Sequence, residues 1–309
     1  MSVKVQAQNL LVFPVLLALC LSPCSAAVET CDHFEEARFS LKFGDSLFLE
    51  GDYYRAVGEY KKLIFLCPSW PGRPGIELRI GRAYAAALRW DDALNTLGQL
   101  VARYPRSSEA QLAALDIGRA HIERNEFGLA ASRMRAFLED HPSSDKLHRQ
   151  ATMLLAESLV HDQLFEAARL VLAGLDDGIP STQWVGRIQS ELSQHRQLPS
   201  RSPWLAGVLS AVVPGTGQFY AGRARDGILA LFLNGLFAAG AYEAVEHHVN
   251  VAAGATAFFG FAWYTGNVFS AVNSAERFNR DSKARFIAEI TAELRAARGE
   301  EAHAKWELP

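Results

Sequence analysis

Four ionisable residues recur in one register of this chain: Asp45, Arg82, Arg119 and Glu157 lie 37, 37 and 38 residues apart. A guanidinium grips a carboxylate through two parallel hydrogen bonds, so Arg82 and Arg119 have the chemistry to clamp a carboxylate or a peptide terminus. The same spacing also suits a structural role, in which the acidic members neutralise the arginines in a charge ladder running from one repeat to the next. Other reactive groups are poorly placed for chemistry. His247 and His248 adjoin without Cys or carboxylate partners at ligand spacing, a weak metal signal. Glu35-Glu36 and Asp176-Asp177 are pairs in sequence only, and the ends of helices account for them. The chain has no Gly-rich phosphate loop, HExxH, CxxC or nucleophile elbow, so the expectation is a protein without catalytic residues, cofactor or metal.

The elements that position the charged register are marked by prolines. Pro68, Pro105, Pro142 and Pro180 stand 37, 37 and 38 residues apart. Aligning the copies on them brings small residues into one column (Gly44, Gly81, Gly118, Ala156), aromatics into a second (Tyr53, Trp90, Phe127, Phe165) and alanines into a third (Ala56, Ala93, Ala130, Ala168). Small residues let two antiparallel helices approach, the aromatic plugs the turn between them, and proline stops the second helix. A fixed period of this size predicts an all-α helical solenoid. Helix pairs are expected near 33–50/53–66, 75–88/91–103, 108–123/127–139 and 145–161/164–176. A capping helix follows at about 181–195, with Trp184, Ile188 and Leu192 on one face.

These columns resemble the tetratricopeptide repeat, with the extra residues falling between units as loop insertions. The resemblance implies a groove lined by the first helix of each pair. On it, Asp45, Arg82, Arg119 and Glu157 would face a partner, with Leu78, Leu115, Ile122, Met153 and Val160 making the wall partly apolar. Such a wall favours a protein or peptide partner over nucleic acid. A net charge of -3 gives no electrostatic reason to seek nucleic acid either.

The first 27 residues read as a secretory signal: Lys4, an apolar run from Leu10 to Leu21, then Ser25-Ala26-Ala27. Cleavage is expected after Ala26 or Ala27. Lipidation at Cys24 is disfavoured by Pro23, and an uncleaved anchor by Pro14 and the shortness of the run. Cleavage leaves Cys31 and Cys67, roughly 20 residues before and 16 after the turn at Gly51. An antiparallel hairpin brings those positions together, and an oxidising compartment would join them. Two buried thiols are the alternative in a reducing one.

Beyond the linker Leu198-Pro199-Ser200-Arg201-Ser202-Pro203 the composition changes. From Trp204 to Val272 only Arg223, Arg225, Asp226, Glu243 and Glu246 carry full charge. Ile228 to Val245 and Val249 to Val272 are long enough to span a bilayer. Trp204 to Ala221 is either a kinked further span or a re-entrant half-helix, since it breaks at Pro214-Gly215-Thr216-Gly217. Arg223 and Arg225 precede the second hydrophobic run, and Arg277, Arg280, Lys283 and Arg285 follow the last. With an exported solenoid, the positive-inside tendency then predicts three spans, repeats outside and tail inside.

The run Pro214, Gly215, Gly217, Gln218, Tyr220 and Gly222 resembles the Gly-rich turn of TM-two-type small membrane domains, a class of unknown activity. Its glycines would allow sharp turns and close helix approach, with Phe219 and Tyr220 at the interface. Asn234 and Asn267 lie within the spans, suited to interhelical hydrogen bonds or to a translocation path. The tail from Glu276 to Arg298 continues as an amphipathic helix, able to lie on the membrane or to dock on a partner.

The expected organisation is therefore a signal (1–27), repeats with cap (28–196), a linker (197–203), a membrane module (204–272) and a helical tail (273–309). The functional expectation is a scaffold or assembly factor at the bacterial inner membrane, repeats facing the periplasm and the membrane helices able to associate with other copies. A regulatory or structural subunit of a small transport or channel complex is the alternative, requiring Asn234 and Asn267 to face one lumen.

Overall fold

The computed structural model describes residues 33–142, 146–175 and 183–299 together with Trp306 and Leu308; the signal, Cys31, Pro180 and the Asp176-Asp177 pair lie outside the described residues. Every regular element among them is a helix: α1 (Phe34–Leu49), α2 (Tyr53–Leu66), α3 (Arg73–Ala86), α4 (Trp90–Arg103), α5 (Ser108–Glu123), α6 (Phe127–Asp140), α7 (Lys146–His161), α8 (Phe165–Ala173), α9 (Gln183–Ser193), α10 (Pro203–Val212), α11 (Thr216–Tyr220), α12 (Ala224–Glu246) and α13 (Asn250–Ala297). The four pairs α1/α2 to α7/α8 follow the expected ones closely, although α8 stops at Ala173, before Gly174.

The sequence columns have a common packing basis. A Cβ added at Gly81 would sit 2.5 Å from Leu97, and the equivalent atoms at Gly44 and Gly118 would strike Tyr60 and Met134. Tyr60, Leu97 and Met134 each stand one helical turn after the alanine column and are fully buried. The first helix thus seats a large side chain of the second in the notch of a small residue, which closes the pair. Each turn ends the same way. At Gly51, Leu88, Asn125 and Gln163 the backbone is left-handed, φ near 60–83°, and paired bonds such as Leu88 N to Ala85 O and Arg89 N to Tyr84 O close the helix end. Only the first copy uses glycine there. The second helices end two residues before a proline, with Cys67, Tyr104 and His141 as the non-helical caps of α2, α4 and α6 between, as expected from the clash between proline and a preceding helical residue. α9 closes the stack with Val185, Ile188 and Leu192 fully buried.

The C-terminal module departs from three spans. α10 has 10 residues, about 15 Å of helix, and lies along α13, where the Tyr264 hydroxyl donates to Ala211 O. The chain then reverses at Pro214-Gly215, with Gly215 at φ +97°, and returns through α11. Entry and exit lie at one level: Ser202 N donates to the Tyr220 hydroxyl at 3.1 Å, and Arg223 donates to Ser274 Oγ at 3.3 Å. Trp204 to Ala221 is therefore a helix-turn-helix that folds back to its starting level.

Residues of the predicted turn motif hold this reversal. Gly217 presses on α10, where an added Cβ would stand 2.0 Å from Ala206 O and 2.7 Å from the Ala271 Cβ. The Gln218 side chain is buried, accepts from Ser210 Oγ at 2.8 Å and donates to Asn267 O at 2.9 Å. Pro214 follows the extended cap residue Val213, and Gly222 takes φ +81° before α12. Tyr220, read from sequence as an interface anchor, packs on Ala206, Ala271 and Ala275 and holds the linker through its hydroxyl.

α12 and the first half of α13 form an antiparallel hairpin. Among the described residues α12 is the one helix long and apolar enough to cross a membrane. The run Val249 to Val272 is helical but diluted by Thr256, Tyr264, Thr265 and Asn267. α13 continues for 48 residues, about 72 Å, past the module and back to the solenoid, where Phe286, Ile290 and Leu294 join the core of α7, α8 and α9. The tail and the repeats thus lie on one side of the hairpin. The expected arrangement with repeats outside and tail inside does not survive, because the last third of α13 is packed into the repeat core.

Candidate functional site

The charged register does form a ladder, through partners the column itself does not contain. Asp45 accepts from Arg79 Nε at 3.0 Å and from the Tyr60 hydroxyl at 2.8 Å. Arg82 Nε donates to Asp116 Oδ2 at 2.6 Å, and Arg119 reaches Asp116 Oδ1 at 3.0 Å. Arg79 and Asp116 stand three residues before Arg82 and Arg119, so each rung joins one column position to the next repeat's residue one turn earlier. Charge alternates so that each rung is neutral. Burial and the Asp45 carboxylate push the Tyr60 phenol far above its ordinary range, so it stays the donor.

The ladder is more buried than an open groove wall. Arg82 and Asp116 are almost wholly enclosed, as are Leu78 and Leu115, which pack inside the stack instead of lining an exposed surface, whereas Ile122 is buried next to the C-terminal residues Arg295, Arg298 and Trp306. The reading of these residues as partner-facing is corrected on that point: Cβ positions next to the small-residue column point between adjacent repeats.

The ladder stops after two rungs, since the position that would meet Arg119 from the next repeat is Leu154, and Glu157 draws its charge partners from outside the repeats. The missing cations come from α13. Arg295 Nε donates to Glu157 Oε1 at 2.7 Å, an Arg298 amino group donates to Oε2 at 2.6 Å, and Arg295 also lies 3.7 Å from Glu123. The side chains of Glu157 and Arg298 are 1% and 2% exposed. Beyond them, Trp306 stands beside Arg119, Ile122 and Leu154, its ring 6.3 Å from Trp90. Leu308, with Trp306, packs on the first-repeat core. The first-helix wall of the solenoid is thus occupied by the chain's own C-terminus, held at Glu157 and followed by an aromatic. Sequence reading missed Arg79 and Asp116, although their shared offset of three residues was visible; Arg295, Arg298 and Trp306 carried no periodic signal at all.

His161 closes this end of α7, its ring stacked on Phe127 at 4.2 Å. Burial holds its pKa below the usual 6.5, against the upward pull of Glu157, Asp162 and Glu123 and with the downward push of Arg295. A histidine kept neutral by folding stabilises fully above its unfolded pKa, and that contribution is lost as pH falls from about 6.5 toward the folded value. Thermal unfolding should therefore show a stability decline below pH 6.5 that His161→Gln reduces. An unchanged pH profile in the variant would remove His161 as the source.

Cys67 is disulfide-bonded and buried at the end of α2; Cys31, the expected partner, lies outside the described residues. Within the C-terminal module, Asn267 lines the cleft between α12 and α13. The Asn234 amide is instead turned back on its own helix, donating to Ala230 O at 2.7 Å.

Comparison with known proteins agrees with the helical geometry. Family profiles described as tetratricopeptide repeat match residues 77–107 and 115–181. Among solved structures, a tetratricopeptide repeat protein from Parabacteroides merdae is similar at 12% identity and TM-score 0.43, over 84% of this chain and 99% of that one. No curated protein matches the sequence. The helix pairs and the two profile matches make the N-terminal part of this chain a tetratricopeptide-like helical solenoid.

Proposed function

We propose that the protein is a membrane-anchored adaptor of the bacterial envelope, whose solenoid captures a protein segment on its first-helix wall. The observation that carries this is the chain's own tail on that wall, with two arginines on buried Glu157 and an aromatic beyond them. A wall that accepts one polypeptide segment in this way has the shape and charge to accept another of the same chemistry, a basic helix followed by an aromatic. The tail then acts as the resident ligand, and a partner gains access by replacing it.

Anchoring is supported by the hairpin. Ile228, Leu229, Leu231, Phe232 and Leu236 on α12, and Val251, Phe258, Phe259, Phe261 and Phe269 on α13, are all at least half exposed. Apolar surface of this extent around two helices is what lipid covers. The module resembling TM-two-type domains would therefore enter the bilayer as a hairpin with a re-entrant α10/α11, with repeats and tail on the same face. The signal-like N-terminus and the Cys67 disulfide favour the periplasmic face. The basic residues flanking the hairpin favour the other, but the first hydrophobic segment usually dominates orientation, and a large exported domain translocates largely regardless of charge.

Impermeant maleimide labelling of the full chain tests this reading. A cysteine at Tyr54 should react in intact spheroplasts, and one at His248 only after permeabilisation; the reverse pattern overturns the periplasmic assignment. A photo-crosslinker at Ile122 should yield adducts both to the tail and to a second protein, and adducts to the tail alone under every growth condition would overturn the adaptor role.

A further inference from the structure

Between α12 and α13 lies a cleft of about 670 Å³ with two chemically distinct ends. Its walls run from Asp226 to Phe237 on α12, eleven residue steps and about 16 Å of helix. The deep end is apolar, with Phe237, Phe259 and Ala262. The shallow end, at the level where the re-entrant pair begins and ends, is polar. There Arg223 and Asp226 form an ion pair in which each side chain is two-fifths exposed, and Gln218 and Asn267 form the floor.

Asn267 makes this end more than a chance gathering of polar groups. Its residue is 8% exposed, its carbonyl accepts from Gln218, and its side-chain Nδ2 is buried with no hydrogen-bond partner. An amide donor left unpaired in an apolar setting is destabilising, so the site is incomplete without an acceptor. A slot with an apolar depth, a polar mouth and an unused donor between them suits an amphiphile whose ester carbonyl lies below its headgroup. The mouth presents one cation and one anion. An anionic headgroup would oppose Asp226 and a cationic one Arg223, whereas a headgroup carrying both charges satisfies both.

We infer that this cleft binds one phospholipid with a phosphoethanolamine headgroup: phosphate on Arg223, ammonium on Asp226, an ester carbonyl on Asn267 and an acyl chain along Phe237 and Phe259. The inference rests on the membrane reading above, since the hairpin must be in a bilayer for lipid to enter.

Native mass spectrometry of the full chain, taken from bilayers of equimolar phosphatidylethanolamine and phosphatidylglycerol, reads the site directly. The expected result is one retained phosphatidylethanolamine per chain, preferred about tenfold, the scale of one charge-assisted contact. Asp226→Asn should bring the two lipids to parity while leaving Arg223 its contact with Ser274. Ala262→Trp, which fills the slot without touching the mouth, should abolish retention of both. Equal retention in the unmodified chain, retention that survives Ala262→Trp, or a lipid-free dimer joined through the cleft would each overturn the inference. Carbonate extraction of the same membranes separates the two readings. A chain that resists extraction yet carries no lipid defeats the cleft alone, and a chain that is extracted defeats the anchor itself.

Discussion

Replacing Glu157 by Gln should release the C-terminal helix from the solenoid and cost about 3–5 kcal/mol, the range for breaking a buried ion pair from one side. Glu157 is wholly enclosed and accepts from both Arg295 and Arg298, the latter as deeply buried as the carboxylate. An amide returns one acceptor but no charge, leaving the enclosed Arg298 guanidinium beside Leu154, Ile122 and Trp306 without its counter-charge, while Arg295 keeps Glu123. Chemical denaturation of the full chain should show the loss, and limited proteolysis should cut within α13 beyond Lys283 in the variant first. A loss below about 1 kcal/mol would mean that the tail is held by Phe286, Ile290 and Leu294 without the charges. Combining Glu157→Leu with Arg295→Leu and Arg298→Leu should recover most of the stability, because a packed apolar replacement leaves no charge uncompensated. That triple variant separates binding of the tail from specificity for arginine.

The second large effect is expected at Gly217. A Cβ there meets a backbone carbonyl at 2.0 Å and the Ala271 Cβ at 2.7 Å, and neither obstacle has a rotamer to escape into. Gly217→Ala should therefore cost about 3 kcal/mol, the upper end of overpacking penalties, by forcing α11 away from α10 and α13. It should also disturb Gln218, whose bonds to Ser210 and Asn267 O tie the reversal together. Gly235 on α12 is the control: a Cβ there meets nothing within 4 Å, so Gly235→Ala should be neutral or stabilising by up to about 1 kcal/mol through helix propensity. Thermal unfolding in detergent compares the two. Equal behaviour of both variants would show that the close approach at Gly217 is not what holds the re-entrant pair.

How far each feature was legible follows from how local its cause is. The small, aromatic and alanine columns each report contacts within one helix pair, such as Gly81 under Leu97, and these repeat because the pair repeats. The turn at Pro214-Gly215 was visible for the same reason, since a left-handed residue and a proline break a helix wherever they stand. The course of the segment before α12 was not visible. Composition left Trp204 to Ala221 open between a crossing and a re-entrant segment, the charge distribution with an exported solenoid favoured the crossing, and only the bonds from Ser202 to Tyr220 and from Arg223 to Ser274 reveal that the segment returns to its own starting level.

The sequence by itself thus determined the all-α repeat, its helix pairs, the register of charges and the helix break at Pro214-Gly215, all of which depend on neighbours within one repeat or one turn. Tertiary structure alone decided what meets those charges. Arg82 found Asp116 across 34 residues, and Glu157 found Arg295 and Arg298 across 138 and 141. The reason is physical: a buried carboxylate must be neutralised, but Coulomb attraction does not specify where in the chain its cation comes from. That choice was made by α13, a helix long enough to leave the hairpin and carry its last turns back to the wall.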